Sequence, residues 1–192
     1  MTPILGIIAS SRPPIAAGDY ESIATVTVGS GGAANVEFTS IGTDWTHLQI
    51  RTLFRGTAAA NYLTTVIRFN DDSATNYAGH ELFGDGSGAF AAAESNANAI
   101  NYGPFGPAAN VSSNIFGTGI IDILDYANTN KNKTIRNLNG FDNNSSTSPI
   151  GHILFRSGLW RSTSAITKIT LTPSSGNWAQ YSHFALYGIK SA

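Results

Sequence analysis

Apolar and polar residues alternate one by one along most of this chain. Ala34, Val36 and Phe38 alternate with Asn35 and Glu37, and Leu48, Ile50, Thr52 and Phe54 with Gln49, Arg51 and Arg55, Leu53 being the exception. Ile67 and Phe69 flank Arg68, and Ile121 and Ile123 flank Asp122. Ile169 and Leu171 alternate with Lys168, Thr170 and Thr172, and Phe184 and Leu186 with His183, Ala185 and Tyr187. A period of two sends successive side chains to opposite faces of an extended strand, so each run predicts a strand with one face in a core.

Turn-forming residues separate these runs. Gly29-Ser30-Gly31-Gly32 lies between Tyr20–Val28 and Ala34–Phe38 and predicts a hairpin loop joining them. Asn70-Asp71-Asp72-Ser73, Asp142–Ser148 and Pro173–Asn177 punctuate the later runs. Gly84–Ser113 is rich in Gly, Ala, Ser and Asn and has little periodicity, which predicts a long loop or short irregular strands. Within it Ala89–Ala99 is the single candidate helix, its asparagines counting against it. Eight to ten strands with long connections predict an all-β fold: one antiparallel two-sheet sandwich spanning residues 20–192, of jelly-roll type because long crossovers suit that topology.

The first 19 residues stand apart. Met1–Asp19 is an arm whose apolar part, Ile4-Leu5-Gly6-Ile7-Ile8-Ala9, is followed by Ser10-Ser11-Arg12-Pro13-Pro14. It is far shorter than the ~20 residues that cross a bilayer. Its Arg12 follows the apolar run, whereas a secretory signal carries its basic residues ahead of it. Extended apolar backbone recruits other chains unless covered, so the arm is expected to be covered by its own body or by another subunit.

Composition narrows the function. The 192 residues suffice for one full core, and charged residues are only 12% against the usual ~25%. A net charge of −1 provides no basic footprint for nucleic acid. No apolar run is long enough to span a membrane. Cysteine is absent, which removes disulfides and cysteine-ligated metal sites.

Candidate chemistry is sparse. Asn70-Asp71-Asp72-Ser73, with Asp85, offers hard oxygen ligands for Ca²⁺ without an EF-hand spacing; the alternative is a polar turn capped by its own side chains. His47, His80, His152 and His183 fall in four segments with no zinc-ligand spacing. Asp122 and Asp125 are an odd number apart, so on a strand they face opposite ways and cannot act as a glycosidase pair. No Gly-x-Ser-x-Gly elbow and no cofactor motif occurs, and enzymatic activity is not expected. Trp45, Trp160 and Trp178 with Tyr62, Tyr77 and Tyr102 suggest a sugar-stacking platform, core packing being the alternative and the preferred one for Trp160. Asn128–Lys133 reads as a solvated hairpin tip.

Several segments, in order along the chain, resemble a family of tailed-bacteriophage virion structural proteins of head-decoration and tail-fibre type. They include Ile4–Ser11, Tyr20–Ala24, Ile67–Asn70 with Asn76-Tyr77, Ile121–Asn128, Ser157–Trp160, Ile169–Pro173 and Ser182–Ile189. The resemblance implies a non-enzymatic protein of the virion surface, without cofactor. In that reading it is a capsid decoration or cement protein, expected to be a homotrimer, bound to the major capsid protein or another virion protein. The arm would anchor through Ile4, Leu5, Ile7 and Ile8, with Pro13 and Pro14 stiffening its exit. The alternative is a tail-associated module that binds host glycans through the loops Asn70–His80 and Gly84–Ser113, with Tyr77 and Tyr102 as contacts.

Overall fold

A computed structural model describes residues 18–145 and 151–190. The anchoring positions Ile4, Leu5, Ile7, Ile8, Pro13 and Pro14 lie outside the described residues. Twelve strands follow one another: β1 (Tyr20–Thr27), β2 (Val36–Phe38), β3 (His47–Phe54), β4 (Tyr62–Phe69), β5 (Tyr77–Gly84), β6 (Ala89–Ala97), β7 (Phe105–Pro107), β8 (Gly117–Ile123), β9 (Lys133–Asp142), β10 (Gly151–Trp160), β11 (Ile169–Pro173) and β12 (His183–Ile189). No helix occurs among the described residues.

The strands form two antiparallel sheets. The larger has the order β1-β12-β3-β8-β9-β10-β5-β6 and the smaller β2-β11-β4-β7. Without the β5–β6 and β9–β10 hairpins, the rest is one long antiparallel ribbon. Its pairs β1·β12, β2·β11, β3·β8 and β4·β7 fall alternately in the two sheets. The two hairpins then widen the larger sheet on one side.

The alternating positions face the core as their period requires. Leu48, Ile50, Phe54, Ile67, Ile121 and Leu186 are fully buried between the sheets. Trp178 closes one end of this core, its ring 5.3 Å from Phe54 and 5.1 Å from Phe184. Side chains this large each remove on the order of 2–3 kcal/mol of apolar exposure from water. Under the added hairpins, Phe105, Val111, Phe141 and Leu154 form a second, smaller cluster.

Four local expectations are corrected. Gly29–Gly32 does turn, with Gly32 N–H donating to Gly29 C=O at 3.0 Å, but it joins no hairpin. β1 pairs with β12 and β2 with β11, so this loop crosses from one sheet to the other. The candidate helix over Ala89–Ala99 is instead β6, paired with β5 from Gly84↔Ala89 to Ala78↔Ser95 and, past a bulge at Asn96, at Tyr77↔Ala97. Alanine's helix preference, a few tenths of a kcal/mol per residue, yields there to ladder formation with a neighbouring strand. Gly84–Ser113 therefore carries a nine-residue strand with one bulge and the three-residue β7, the second of its two expected forms, and the twelve strands exceed the expected eight to ten. Finally, Lys133 at the end of the β8–β9 connection is fully buried, whereas the sequence read Asn128–Lys133 as solvated. Its ammonium donates to the carbonyls of Asn128 (2.6 Å), Lys131 (2.8 Å) and Thr163 (3.1 Å), which is what makes burial tolerable.

Candidate interaction face

The outward face of the larger sheet has two unlike halves. On β1, β12, β3 and β8 it is a polar network. The Tyr20 and Tyr187 rings stack at 4.9 Å, and the Arg51 guanidinium lies 5.5 Å from each ring centre. Tyr20 Oη–H donates to Gln49 Oε1 at 2.8 Å, Gln49 Nε2–H donates to Asp122 Oδ1 at 2.9 Å, and Arg136 Nε–H donates to Asp122 Oδ2 at 3.1 Å. Partial burial raises the Tyr20 phenol above its ordinary pKa, against the opposing pull of Arg51.

On β8, β9, β10 and β5 the same face is apolar. Ile120, Leu138, Phe155 and Leu82 stand directly opposite one another across four consecutive strands. Ile153 and Leu53 lie one row along, in line with Gly140 and Thr118. These six side chains are between 41 and 66% exposed. The strands themselves set this: on β9 Asn137 and Asn139 are buried and Leu138 between them faces outward, and on β10 Ile153 and Phe155 face outward while Leu154 and Arg156 are buried.

Gly140 hollows the face. It sits between Ile153 and Thr118 in the cross-strand row, where a side chain would stand between its neighbours. A Cβ there would come within 2.5 Å of the His152 carbonyl oxygen, so no larger residue fits without backbone movement. The result is a groove of about 610 Å³ bordered by Ile120, Leu138, Phe141 and Ile153. Monomers seldom leave an apolar patch beyond a few hundred Å² open, and such patches mark contact sites.

Under the other face of the β9–β10–β5 extension lies a smaller hollow of about 120 Å³, walled by Tyr62, Phe83, Phe105 and His152. Its floor is the Arg156–Glu81 ion pair. His152 Nδ1 is buried there without a hydrogen-bond partner, and burial lowers the imidazole's pKa. The ring is surrounded by aromatics, with Phe105 at 4.9 Å and Tyr62 at 5.5 Å.

The residues singled out for chemistry are dispersed. Tyr77 is fully buried, its ring 6.3 Å from Trp160 and its hydroxyl donating to the Asp72 carbonyl at 3.1 Å; it is a core residue and no glycan contact. Tyr102 is half-buried against Gly79, with the Arg156 guanidinium 5.5 Å over its ring. Trp160 and Trp178 are buried, so the tryptophans make no common surface platform. Asp72 and Asp85 lie at opposite ends of β5. Asp72 accepts hydrogen bonds from Trp160 Nε1 (2.7 Å), Asn76 Nδ2 (2.8 Å) and the Ala74 amide (2.9 Å). Asp71 pairs with Lys168 at 2.9 Å, and Asp85 caps Ser87 and Gly88. Asn70 and Asp71 have φ of 52° and 57°, the left-handed region that Asn and Asp tolerate in turns. Among the described residues no three His, Asp or Glu side chains gather as a metal site would require. Asp122 pairs with Arg136 and Asp125 with Lys131, so the two carboxylates serve separate contacts.

The outward apolar row was not singled out from the sequence. Its signal is there: Leu138 shares its phase of β9 with Thr134 and Arg136, Leu53 shares its phase of β3 with Gln49 and Arg51, and β10 carries Ile153, Phe155 and Leu159 on one phase with Leu154 and Trp160 on the other.

No family model, curated protein or solved structure matches this chain.

Proposed function

We propose that this chain is a structural protein of a bacteriophage virion surface, of the decoration or cement type, that holds coat subunits through its arm and its sandwich body. We read its eight-strand ribbon, with pairs alternating between sheets, as a jelly roll enlarged by two hairpins. The observation that carries the reading is the uncharged, exposed row Ile120–Leu138–Phe155–Leu82 on a rigid sheet face. Such a face suits broad contact with another protein and offers no grouping for catalysis. The segment-by-segment resemblance to virion proteins gives that contact its setting, and repeated weak contacts in a symmetric shell fit a homotrimer. The glycan-binding alternative draws no support from Tyr77, which is fully buried, and Tyr102 is half-buried with the Arg156 guanidinium over its ring.

Re-coating is the test. Virions assembled without this chain should take up the purified protein. Deletion of Met1–Ser11, or Leu138→Asp, should each reduce occupancy at least tenfold while the body stays folded by circular dichroism. Wild-type occupancy by both variants would overturn the reading.

A further inference from the structure

Among the described residues the larger sheet ends in two unpaired edges of different character. At β1 the ladder is broken by a bulge between Ser22 and Ala24, and Glu21 lies on the strand. Bulges and charges are the usual devices that stop an edge from pairing. β6 has a bulge only at its far end, at Asn96, and the run Ala89-Phe90-Ala91-Ala92-Ala93 ahead of it has neither. It is exposed on both faces, it contains no proline or lysine, and it pairs with β5 in unbroken register from Gly84↔Ala89 to Ala78↔Ser95. Its one charge, Glu94, is turned away, bound to the Asn101 amide (3.1 Å) and side chain (2.9 Å). Among the described residues nothing pairs with the outer side of β6. A long, unguarded edge of small residues is one that pairs in the working assembly or aggregates.

We propose that the Ile4–Ala9 segment of a second copy of this chain adds to β6 as a further antiparallel or parallel strand. The inference rests on the assembly reading above but departs from it on the arm, whose partner becomes a second copy instead of the coat; the apolar outward face alone is then left to meet the coat. Three observations carry it. The segment has apolar side chains in both phases, Ile4 and Ile8 in one and Leu5 and Ile7 in the other. β6 has apolar neighbours on both faces to receive them, Ala91 beside Leu82 on one and Phe90 stacked on Phe83 on the other. Main-chain hydrogen bonds along the edge would satisfy the arm's backbone, as in strand addition generally.

Reach decides that the arm comes from a neighbour. β1, where the arm begins, and β6 are opposite edges of an eight-stranded sheet. Seven inter-strand spacings are about 34 Å. The ten steps from Asp19 back to Ala9 span about 35 Å only when fully drawn out. A chain's own arm has no slack to cross the sheet, pass Pro13-Pro14 and align with β6. Exchange between copies closes either reciprocally, as a two-fold dimer, or head-to-tail, as a ring such as a trimer.

Because the chain has no cysteine, introduced pairs report cleanly. Full-length Ile7→Cys and Ala92→Cys proteins, mixed and oxidised, should give a disulfide-linked dimer containing one of each. In sedimentation, deletion of Met1–Ser11 and the edge variant Ala91→Lys/Ala93→Lys should both convert the oligomer to a folded monomer. Four results overturn the proposal: no mixed dimer; self-linking of Ala92→Cys alone, meaning β6 pairs with β6; Ile7→Cys linking within one chain to Thr25→Cys on β1; or an oligomer unchanged by deletion. The measurements use the purified chain alone. Cross-linking with no virion re-coating would sink only the decoration reading, and re-coating without cross-linking would sink only this one.

Discussion

Arg156 and Glu81 face each other across β10 and β5, and the Arg156 Nε–H donates to Glu81 Oε2 at 2.8 Å beneath the sheet. The guanidinium is almost wholly buried, and it also donates to Thr64 Oγ1 (3.0 Å) and the Gly103 carbonyl (2.5 Å). It therefore ties the widened sheet to β4 and to the segment between β6 and β7. Burial lowers its pKa, and Glu81 acts against that shift. Removing one partner of a buried pair strands the other charge, so Glu81→Ala should cost about 3–5 kcal/mol. In a domain of this size that is a fall in Tm of roughly 10 °C. The double variant Glu81→Leu/Arg156→Met should recover most of the loss in the same thermal melts, because replacing both charges with apolar groups leaves nothing unpaired.

Asp72 supplies a pH dependence. Hydrogen bonds from Asn76, the Ala74 amide and Trp160 hold its carboxyl below the usual range, with burial opposing. A carboxylate whose folded pKa is depressed adds stability above its unfolded value near ~3.9, and that stability is lost as pH falls through the folded pKa. Urea midpoints should thus decline as pH drops below about 4, and the decline should be shallower in Asp72→Asn. An equally steep acid limb in the variant would assign the effect to other carboxylates. Tyr77 makes the opposite limb: burial pushes its phenol up to about 12, so its contribution is full below pH ~10 and fades as pH rises through the folded value.

The strands were legible because burial follows the same period of two as the sequence. Ile67, Phe69, Ile121, Ile169 and Phe184 are buried as their alternation predicts. β6 escaped because Ala89-Phe90-Ala91-Ala92-Ala93 has no polar phase: it lies at the sheet's edge, exposed on both sides, so no alternation is demanded of it. The false hairpin at Gly29–Gly32 has a similar origin. Turn chemistry fixes where the chain bends, while the partners of β1 and β2 are set by contacts more than 130 residues away, such as Val26↔Phe184 and Val36↔Leu171. The apolar outward face was missed because single exposed hydrophobics are ordinary, and only cross-strand register brings Leu82, Phe155, Leu138 and Ile120 into one row.

Lys133 offers a third measurement. Three backbone carbonyls from two loops converge on its ammonium, and burial lowers its pKa. Lys133→Met keeps the aliphatic stem but leaves those carbonyls without a donor, which should cost about 3 kcal/mol. Hydrogen exchange would locate the effect: protection should fall first around Asn128–Lys131 and Thr163, ahead of the core strands.

The outward face separates contact from folding. Leu138 and Phe155 oppose each other on β9 and β10, and both are more than half exposed. Truncating or charging an exposed strand position usually changes stability by about 0.5 kcal/mol, because little packing is lost. Leu138→Asp and Phe155→Asp should therefore melt within about 2 °C of the parent. A face that binds another protein should behave differently in association: each variant should weaken binding at least tenfold, since a carboxylate would be desolvated against an apolar partner. Charges on the polar half, as in Arg136→Ala, should change binding far less, because Arg136 is largely solvated and paired with Asp122. Parallel melts and re-coating assays on the three variants decide it, and a large Tm loss in Phe155→Asp would mean that the row is core to the fold instead of surface for a partner.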